Sequence, residues 1–187
     1  MKDIISLSVI VPFYNEEKFL ESSITRLLKL DIVKQIILVD DCSEDDSYLI
    51  GERLVNQNNK ILITKTNKNL GKGGAVKVGL EKVTSTHVIV HDADLEYFPE
   101  DISEMFEAVS TEKENLVLGS RTIGTKKRKN LYFYTYFGNK IFTLLFSILN
   151  NYKVSDIASC YWLVKVESLK EMSISEKGFG IEVEVLS

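Results

Sequence analysis

Val88-Ile89-Val90-His91-Asp92-Ala93-Asp94-Leu95-Glu96 joins an apolar run to three acids at alternating positions. The β-branched and apolar character of Thr86–His91 predicts a buried strand, with the acids placed where it ends. In open α/β sheets, ligands bind outside the carboxyl ends of the strands. Asp92, Asp94 and Glu96 therefore stand where a ligand goes, with the oxygen donors that Mg2+ or Mn2+ prefers. Such an ion binds through one or two carboxylates and leaves positions for a substrate's phosphates. An Asp-x-Asp is also the composition of a solvated turn, so its surroundings must decide.

Those surroundings repeat the same design. Leu7–Val11 is a short apolar run closed by Pro12, and Phe13-Tyr14-Asn15-Glu16-Glu17 follows. Asn15 suits a helix N-cap and the glutamates suit the positive end of a helix reaching about Leu30. Phe19, Leu20, Ile24, Leu27 and Leu28 would form its apolar stripe. Glu16 is either part of that helix start or, with Tyr14, the border of a ligand. Gln35–Val39 predicts a second strand ending in Asp40 and Asp41, acids that cap a turn or accept hydrogen bonds from a ribose or base. Ser43 and Asp46 have the spacing of a weak capping box before a helix to about Gln57, with Leu49, Ile50 and Leu54 inward.

Lys60–Thr64 predicts a third strand, followed by Gly71-Lys72-Gly73-Gly74 and a helix from about Ala75 to Val83. The glycines match neither the Walker A spacing nor the dinucleotide fingerprint. They make either an anion-tolerant helix start carrying Lys72 or a purely structural turn. Pro99 would open a helix with its core face on Ile102, Met105, Phe106 and Val109. Asn115–Leu118 predicts a strand that ends at Arg121, a fixed cation suited to phosphate or carboxylate. Cys160–Val166 predicts a last strand, holding Trp162. Glu167–Met172 predicts a short helix, and the chain closes on what reads as the start of another.

Composition bounds the class. The 187 residues are 44% hydrophobic with a net charge of -4, the size of one domain with its own core. The modest acidity argues against a nucleic-acid partner. Two distant cysteines, Cys42 and Cys160, suit reduced thiols rather than a disulfide framework. No apolar run reaches the length of a membrane span. Four consecutive cations, Lys126 to Lys129, precede an aromatic and apolar stretch to Leu149. Lys126–Leu149 therefore reads as a membrane-surface segment or as a core helix behind a solvated basic loop.

Five motifs in register carry a family resemblance: Val9-Ile10-Val11-Pro12-Phe13-Tyr14-Asn15-Glu16, Val39-Asp40-Asp41-Cys42-Ser43, Asn69-Leu70-Gly71-Lys72-Gly73, His91-Asp92-Ala93-Asp94-Leu95-Glu96 and Gly119-Ser120-Arg121. Together they resemble family 2 of the inverting glycosyltransferases, most closely the polyprenyl-phosphate mannose or glucose synthases. The resemblance implies an α/β fold of the GT-A type, Rossmann-like, with a mostly parallel sheet flanked by helices, over residues 1–187 as one catalytic domain. It implies that Pro12, Tyr14, Glu16, Asp41, Lys72 and Asp92 border a UDP- or GDP-sugar. Asp94, with Asp92 and Glu96, would hold Mg2+ or Mn2+. Arg121 would face phosphates, and Asp156 would act as catalytic base or acceptor organiser.

The implied acceptor is a polyprenyl or dolichyl phosphate at the cytoplasmic membrane face, the protein being peripheral there. A saccharide or protein acceptor, or a nucleotide-sugar-binding domain without turnover, are the alternatives. Two departures bear on the acceptor end: Trp162 stands where related sequences often have Lys or Arg, and Ser187 ends the chain where relatives continue toward membrane-associated segments. The sugar, the base and the oligomeric state are left open at this level.

Overall fold

A computed structural model describes residues 5–112, 114–121, 133–172 and 175–186. The basic cluster Thr125–Lys129 lies outside the described residues. Six strands form one sheet in the order β3-β2-β1-β4-β6-β5. They are β1 (Leu7–Phe13), β2 (Val33–Asp40), β3 (Ile61–Lys65), β4 (His87–Val90), β5 (Leu116–Leu118) and β6 (Trp162–Lys165). The first four are parallel, whereas β6 runs antiparallel to both β4 and β5. The helices are α1 (Leu20–Leu27), α2 (Ser47–Gln57), α3 (Gly71–Leu80), α4 (Asp101–Glu112), α5 (Phe133–Leu149), α6 (Val166–Glu171) and α7 (Ile181–Glu184).

The sheet is buried on both faces, which is why its strands read as unbroken apolar runs rather than as alternations. Val9, Val11, Ile36, Leu38, Ile89 and Leu163 meet α1, α2 and α4 on one face. Ile10, Ile37, Val39, Val88, Val90 and Val164 meet α3, α6 and α7 on the other. Pro12 does not close β1. The strand continues through it, pairing Pro12 with Val39 and Phe13 with Asp40, because β1 stops pairing with β4 at Ile10. A missing N–H is tolerated where no neighbour needs it.

Several local expectations fail for identifiable reasons. Asn15 does not cap α1: it has φ 57°, and its side-chain oxygen accepts from the Glu44 N–H. The helix starts later, at Leu20, leaving Phe19 half-exposed. Ser43 makes no capping box, because its hydroxyl accepts from the Asn15 N–H. Leu49 is exposed, and the inward face of α2 falls on Ser47, Gly51 and Leu54 instead. Pro99 sits just before α4, accepting from the Ile102 N–H.

Trp162 is 1% exposed and packs with Ile10, Val76 and Ile181 in the second core layer, so it is not a surface substitute for a cation. Its indole N–H finds no partner among the described residues. The 175–186 segment is likewise structural, since Ile181 of α7 and Val185 just after it enter that same layer.

Candidate functional site

The carboxyl ends of β1, β2 and β4 gather on one edge, and the loops leaving them are stitched together. The Asn15 N–H donates to Ser43 Oγ at 3.0 Å, Glu16 N–H to Ser47 Oγ at 2.7 Å and Glu17 N–H to Asp45 Oδ2 at 3.2 Å. This fixes Tyr14, 42% exposed, and the partly buried Glu16 at the rim. Burial raises the Glu16 carboxyl above its ordinary range, and the charges of Asp94, Asp45 and Asp92 add to that rise. Glu16 thus shares its field with the Asp92–Asp94 turn, as a ligand-bordering acid would.

Asp41 takes the capping alternative. Its buried carboxylate accepts from Leu70 N–H, from Gly71 N–H at 2.8 Å and from Thr66 Oγ1–H at 3.0 Å. The Leu70 and Gly71 amides are thereby bonded to protein, and the Gly74 N–H donates to Lys177 O at 3.0 Å. The glycines serve close packing. Gly71 has φ 76°, and a Cβ there would lie 2.7 Å from Lys177 O; one on Gly73 would lie 2.6 Å from Glu176 O. The glycines are thus required by packing, whatever the turn binds.

Lys72 is the centre of the site's charge. Its ammonium lies 2.9 Å from Asp92 and 2.7 Å from Glu182, with the Phe179 ring centroid 5.5 Å away. Burial alone would depress Lys72. Asp92 and Glu182 outweigh it and hold the amine above the ordinary lysine range, so it stays charged. Asp94 accepts from the Glu96 N–H at 3.0 Å across a turn in which Leu95 has φ 62°. Burial raises the Asp94 carboxyl, as do the charges of Asp92 and Glu96. The Glu96 side chain itself is exposed, and its observed contact with Asp94 is through the backbone.

Asp92 and Glu182 bond the Lys72 ammonium, and Glu16 and Asp94 share the field of the same acidic cluster. Burial first, and neighbouring negative charge second, raise the Glu16, Asp94 and Glu182 carboxyls, and a divalent cation would relieve the repulsion. No three His, Cys, Asp or Glu side chains among the described residues are gathered as a protein-only cage. The donor set fits an ion that takes one or two carboxylates here and completes its shell with phosphate and water, as Mg2+ and Mn2+ do.

Arg121 and Asp156 form a separate unit at the end of β5. The guanidinium grips the fully buried Asp156 carboxylate through Nε at 2.8 Å and Nη2 at 2.9 Å, and the Arg121 N–H adds a third bond. Asn139 of α5 donates a fourth at 2.7 Å. Burial would raise Asp156, but the bonds from Arg121 and Asn139 overcome it and hold the carboxyl below its ordinary range. An acid so placed accepts and orients; it is poorly suited to take up a proton near neutral pH.

His91, immediately before Asp92, is fully buried between Ser23 Oγ at 2.9 Å and the Tyr161 hydroxyl at 2.7 Å. Burial pushes its imidazole down to about 4. The unfolded chain takes this proton near pH 6.5, the folded protein only near pH 4. The stability it contributes is therefore complete above about pH 6.5 and lost as the pH falls toward 4, roughly 3 kcal/mol in all. Calorimetric melting between pH 7 and pH 4.5 should show this loss, and His91→Gln should flatten the slope. An equally steep slope in the variant would assign the acid sensitivity elsewhere.

Sequence reasoning missed Glu182, because its partner Lys72 is 110 residues away. The available signal was an acid between the apolar residues Ile181 and Val185, on a segment read as an unfinished helix.

Comparison with known proteins places this geometry. The model of glycosyl transferase family 2 matches residues 8–173. A UDP-N-acetylglucosamine–dolichyl-phosphate N-acetylglucosaminyltransferase of Methanococcus voltae is 30% identical over 180 residues, 88% of this chain and 71% of that protein. An undecaprenyl-phosphate 4-deoxy-4-formamido-L-arabinose transferase of Proteus mirabilis is 34% identical over 127 residues, 65% of this chain and 37% of that protein. The chain therefore spans only part of the length of such relatives. Glucosyl-3-phosphoglycerate synthase of Mycobacterium tuberculosis, solved with Mn2+, UDP and glucosyl-3-phosphoglycerate, superposes with a TM-score of 0.75. It is 21% identical over 97% of this chain and 64% of the other, a likeness that shows the GT-A fold.

Proposed function

The chain belongs to glycosyl transferase family 2, and we propose that it moves a sugar from a UDP- or GDP-sugar, with Mg2+ or Mn2+, to a polyprenyl phosphate. One observation carries the acceptor choice. On its inner face α5 holds Asp156 through Asn139, and Thr143 Oγ1 accepts from the Ile157 N–H. Its outer face bares Ile141, Phe142, Leu144, Leu145, Ile148 and Leu149. One helix thus couples the Arg121–Asp156 unit to a broad apolar surface, as a lipid-borne phosphate requires. No helix among the described residues is long and apolar enough to cross a membrane. The proposed disposition is α5 lying in the lipid interface at the cytoplasmic face, the cations Lys126–Lys129 preceding it in sequence.

The polyprenyl-phosphate names of the Methanococcus and Proteus relatives support this acceptor, and the UDP and Mn2+ of the Mycobacterium structure support the donor side. Pro12, Tyr14 and Glu16 would border the nucleotide, and Asp41 would act by shaping the turn that carries Lys72. Asp94, with Asp92, would hold the metal. When bound, the ion supplies counter-charge for the departing nucleoside diphosphate. Lys72 would hold Asp92 in place through its ion pair. Arg121 would bind the acceptor phosphate as a rigid fork. Attack on the face of the anomeric carbon opposite the leaving group inverts its configuration. A lipid phosphate attacks as an anion and needs no base, which suits an Asp156 devoted to Arg121.

Titration calorimetry with UDP and GDP, each with and without Mn2+, tests the donor half. Metal-dependent binding of one nucleotide is expected; a folded protein that binds neither would refute the reading. Liposome flotation tests the surface. Phe142→Ser/Leu145→Ser/Ile148→Ser should lower partitioning by at least about tenfold, since each lost apolar side chain contributes up to roughly 1.5–3 kcal/mol when buried. Undiminished flotation would detach α5 from the lipid.

A further inference from the structure

We infer that Glu182 is a positioning residue of the donor site, acting through Lys72 on Asp92; the inference rests on the donor reading above. Glu182 comes from α7, the last described element of the chain, yet its carboxylate lies 2.7 Å from Lys72 Nζ. The side chains of Glu182 and Lys72 are each 8% exposed, against 23% for Asp92. Lys72 has three N–H donors. Asp92 and Glu182 take two, from 20 and 110 residues along the chain, and the Phe179 ring lies beside the ammonium. Lys72 is therefore not a loose cation awaiting a phosphate. It is a bolt between the β4 turn and the C-terminal segment.

The backbone supports this role. Lys177 O accepts from the Gly74 N–H, and the missing side chains of Gly71 and Gly73 make room for the Glu176 and Lys177 carbonyls. Farther along, Glu184 accepts from Ser175 N–H, from the Ser175 hydroxyl and from Glu176 N–H, pinning the start of the segment. The 175–186 stretch thus packs onto the first turn of α3 and delivers Glu182 to Lys72. Without Glu182, Lys72 would have one anionic partner instead of two and freedom to swing, and Asp92 would lose its fixed position. Loss of such a supporting partner around a metal-binding group typically costs about 10–100-fold in affinity.

Two readouts test this. The first needs no ligand: the acetylation rate of Lys72 by acetic anhydride, followed by mass spectrometry. Lys72 should react slowly in the full chain and at least about tenfold faster in Glu182→Gln. An unchanged rate overturns the inference. The second is a cycle of Mn2+-dependent nucleotide binding in the wild type, Glu182→Gln, Lys72→Met and the double variant. Glu182→Gln should weaken binding about tenfold alone and less than about twofold in the Lys72→Met background, because it acts through that lysine. An equal penalty in both backgrounds, or none in the wild type, overturns it. Should Glu182→Gln fail to fold, Glu182→Asp keeps the charge but withdraws it by one methylene, and must show the same two effects in milder form. If the wild type binds no nucleotide, the proposed donor site falls, while Lys72 acetylation still decides whether Glu182 holds the lysine.

Discussion

Asp94→Asn is expected to abolish metal-dependent nucleotide binding and to slow sugar transfer by roughly 10³-fold. The substitution is nearly isosteric and keeps the oxygen that accepts from the Glu96 N–H, so the turn around Leu95 should survive. What it removes is charge, at the position where burial and neighbouring acids already raise the carboxyl. A metal ion contributes several kcal/mol of charge stabilisation in the transition state, and each 1.4 kcal/mol or so is a factor of ten. Binding of Mn2+ with UDP or GDP should vanish by calorimetry while the melting temperature holds or rises, since one repelling carboxylate is gone. A variant that keeps metal-dependent binding would remove Asp94 from the metal site.

The second large effect is expected at Arg121. Arg121→Ala strands Asp156, a wholly buried carboxylate, with the Asn139 bond as its remaining side-chain contact among the described residues. Orphaning a buried charge costs about 3–5 kcal/mol, and the partial exposure of Arg121 places this case at the low end. Transfer should fall at least about 10²-fold, through loss of the fork that would face the acceptor phosphate. Arg121→Lys should recover stability in part but little activity, because an ammonium cannot reproduce the paired bonds from Nε and Nη2. Asp156→Asn discriminates the mechanism. A general base accounts for about 10²–10⁴-fold, whereas a carboxylate that only orients Arg121 should cost less than that range. A large loss with an intact melting profile would return Asp156 to the role of base.

The parallel half of the sheet was legible because its strands are buried on both faces. Their apolar runs end abruptly in acids, and this marked the sheet and its functional edge together. The antiparallel direction of β6 was not legible, since three or four apolar residues look alike in either sense. Cap residues were misjudged where long-range bonds outbid local ones: Asn15 and Ser43 each have good capping chemistry and spend it on each other's loops. Asp41 was read as an even choice between ligand and cap, and its bonds from the distant amides of Leu70 and Gly71 could not be seen in the sequence. That Trp162 is a core residue could not be read from the sequence, because which face of the sheet it takes was unknown. Asp92, Asp94, Arg121 and Asp156 were singled out by motif, but that Arg121 and Asp156 bond each other could not be seen across 35 residues.

The apolar stretch in α5 shows the limit differently. Sequence alone left it between a core helix and a membrane surface. The structure sends Thr143 and Phe146 inward and leaves Phe142, Leu145 and Ile148 outward, so one face of the helix is core and the other is exposed and apolar. The site's chemistry and its proposed access to lipid are therefore built from the same element.

Transfer itself is the most direct measurement. Purified protein should be incubated with Mn2+, radiolabelled UDP- or GDP-sugars and liposomes bearing polyprenyl phosphate, then extracted into organic solvent. The account predicts metal-dependent appearance of label in a lipid-linked sugar with inverted anomeric configuration, lost in Asp94→Asn. Label that instead passes to a soluble saccharide or protein, with none reaching the lipid phosphate, would contradict it.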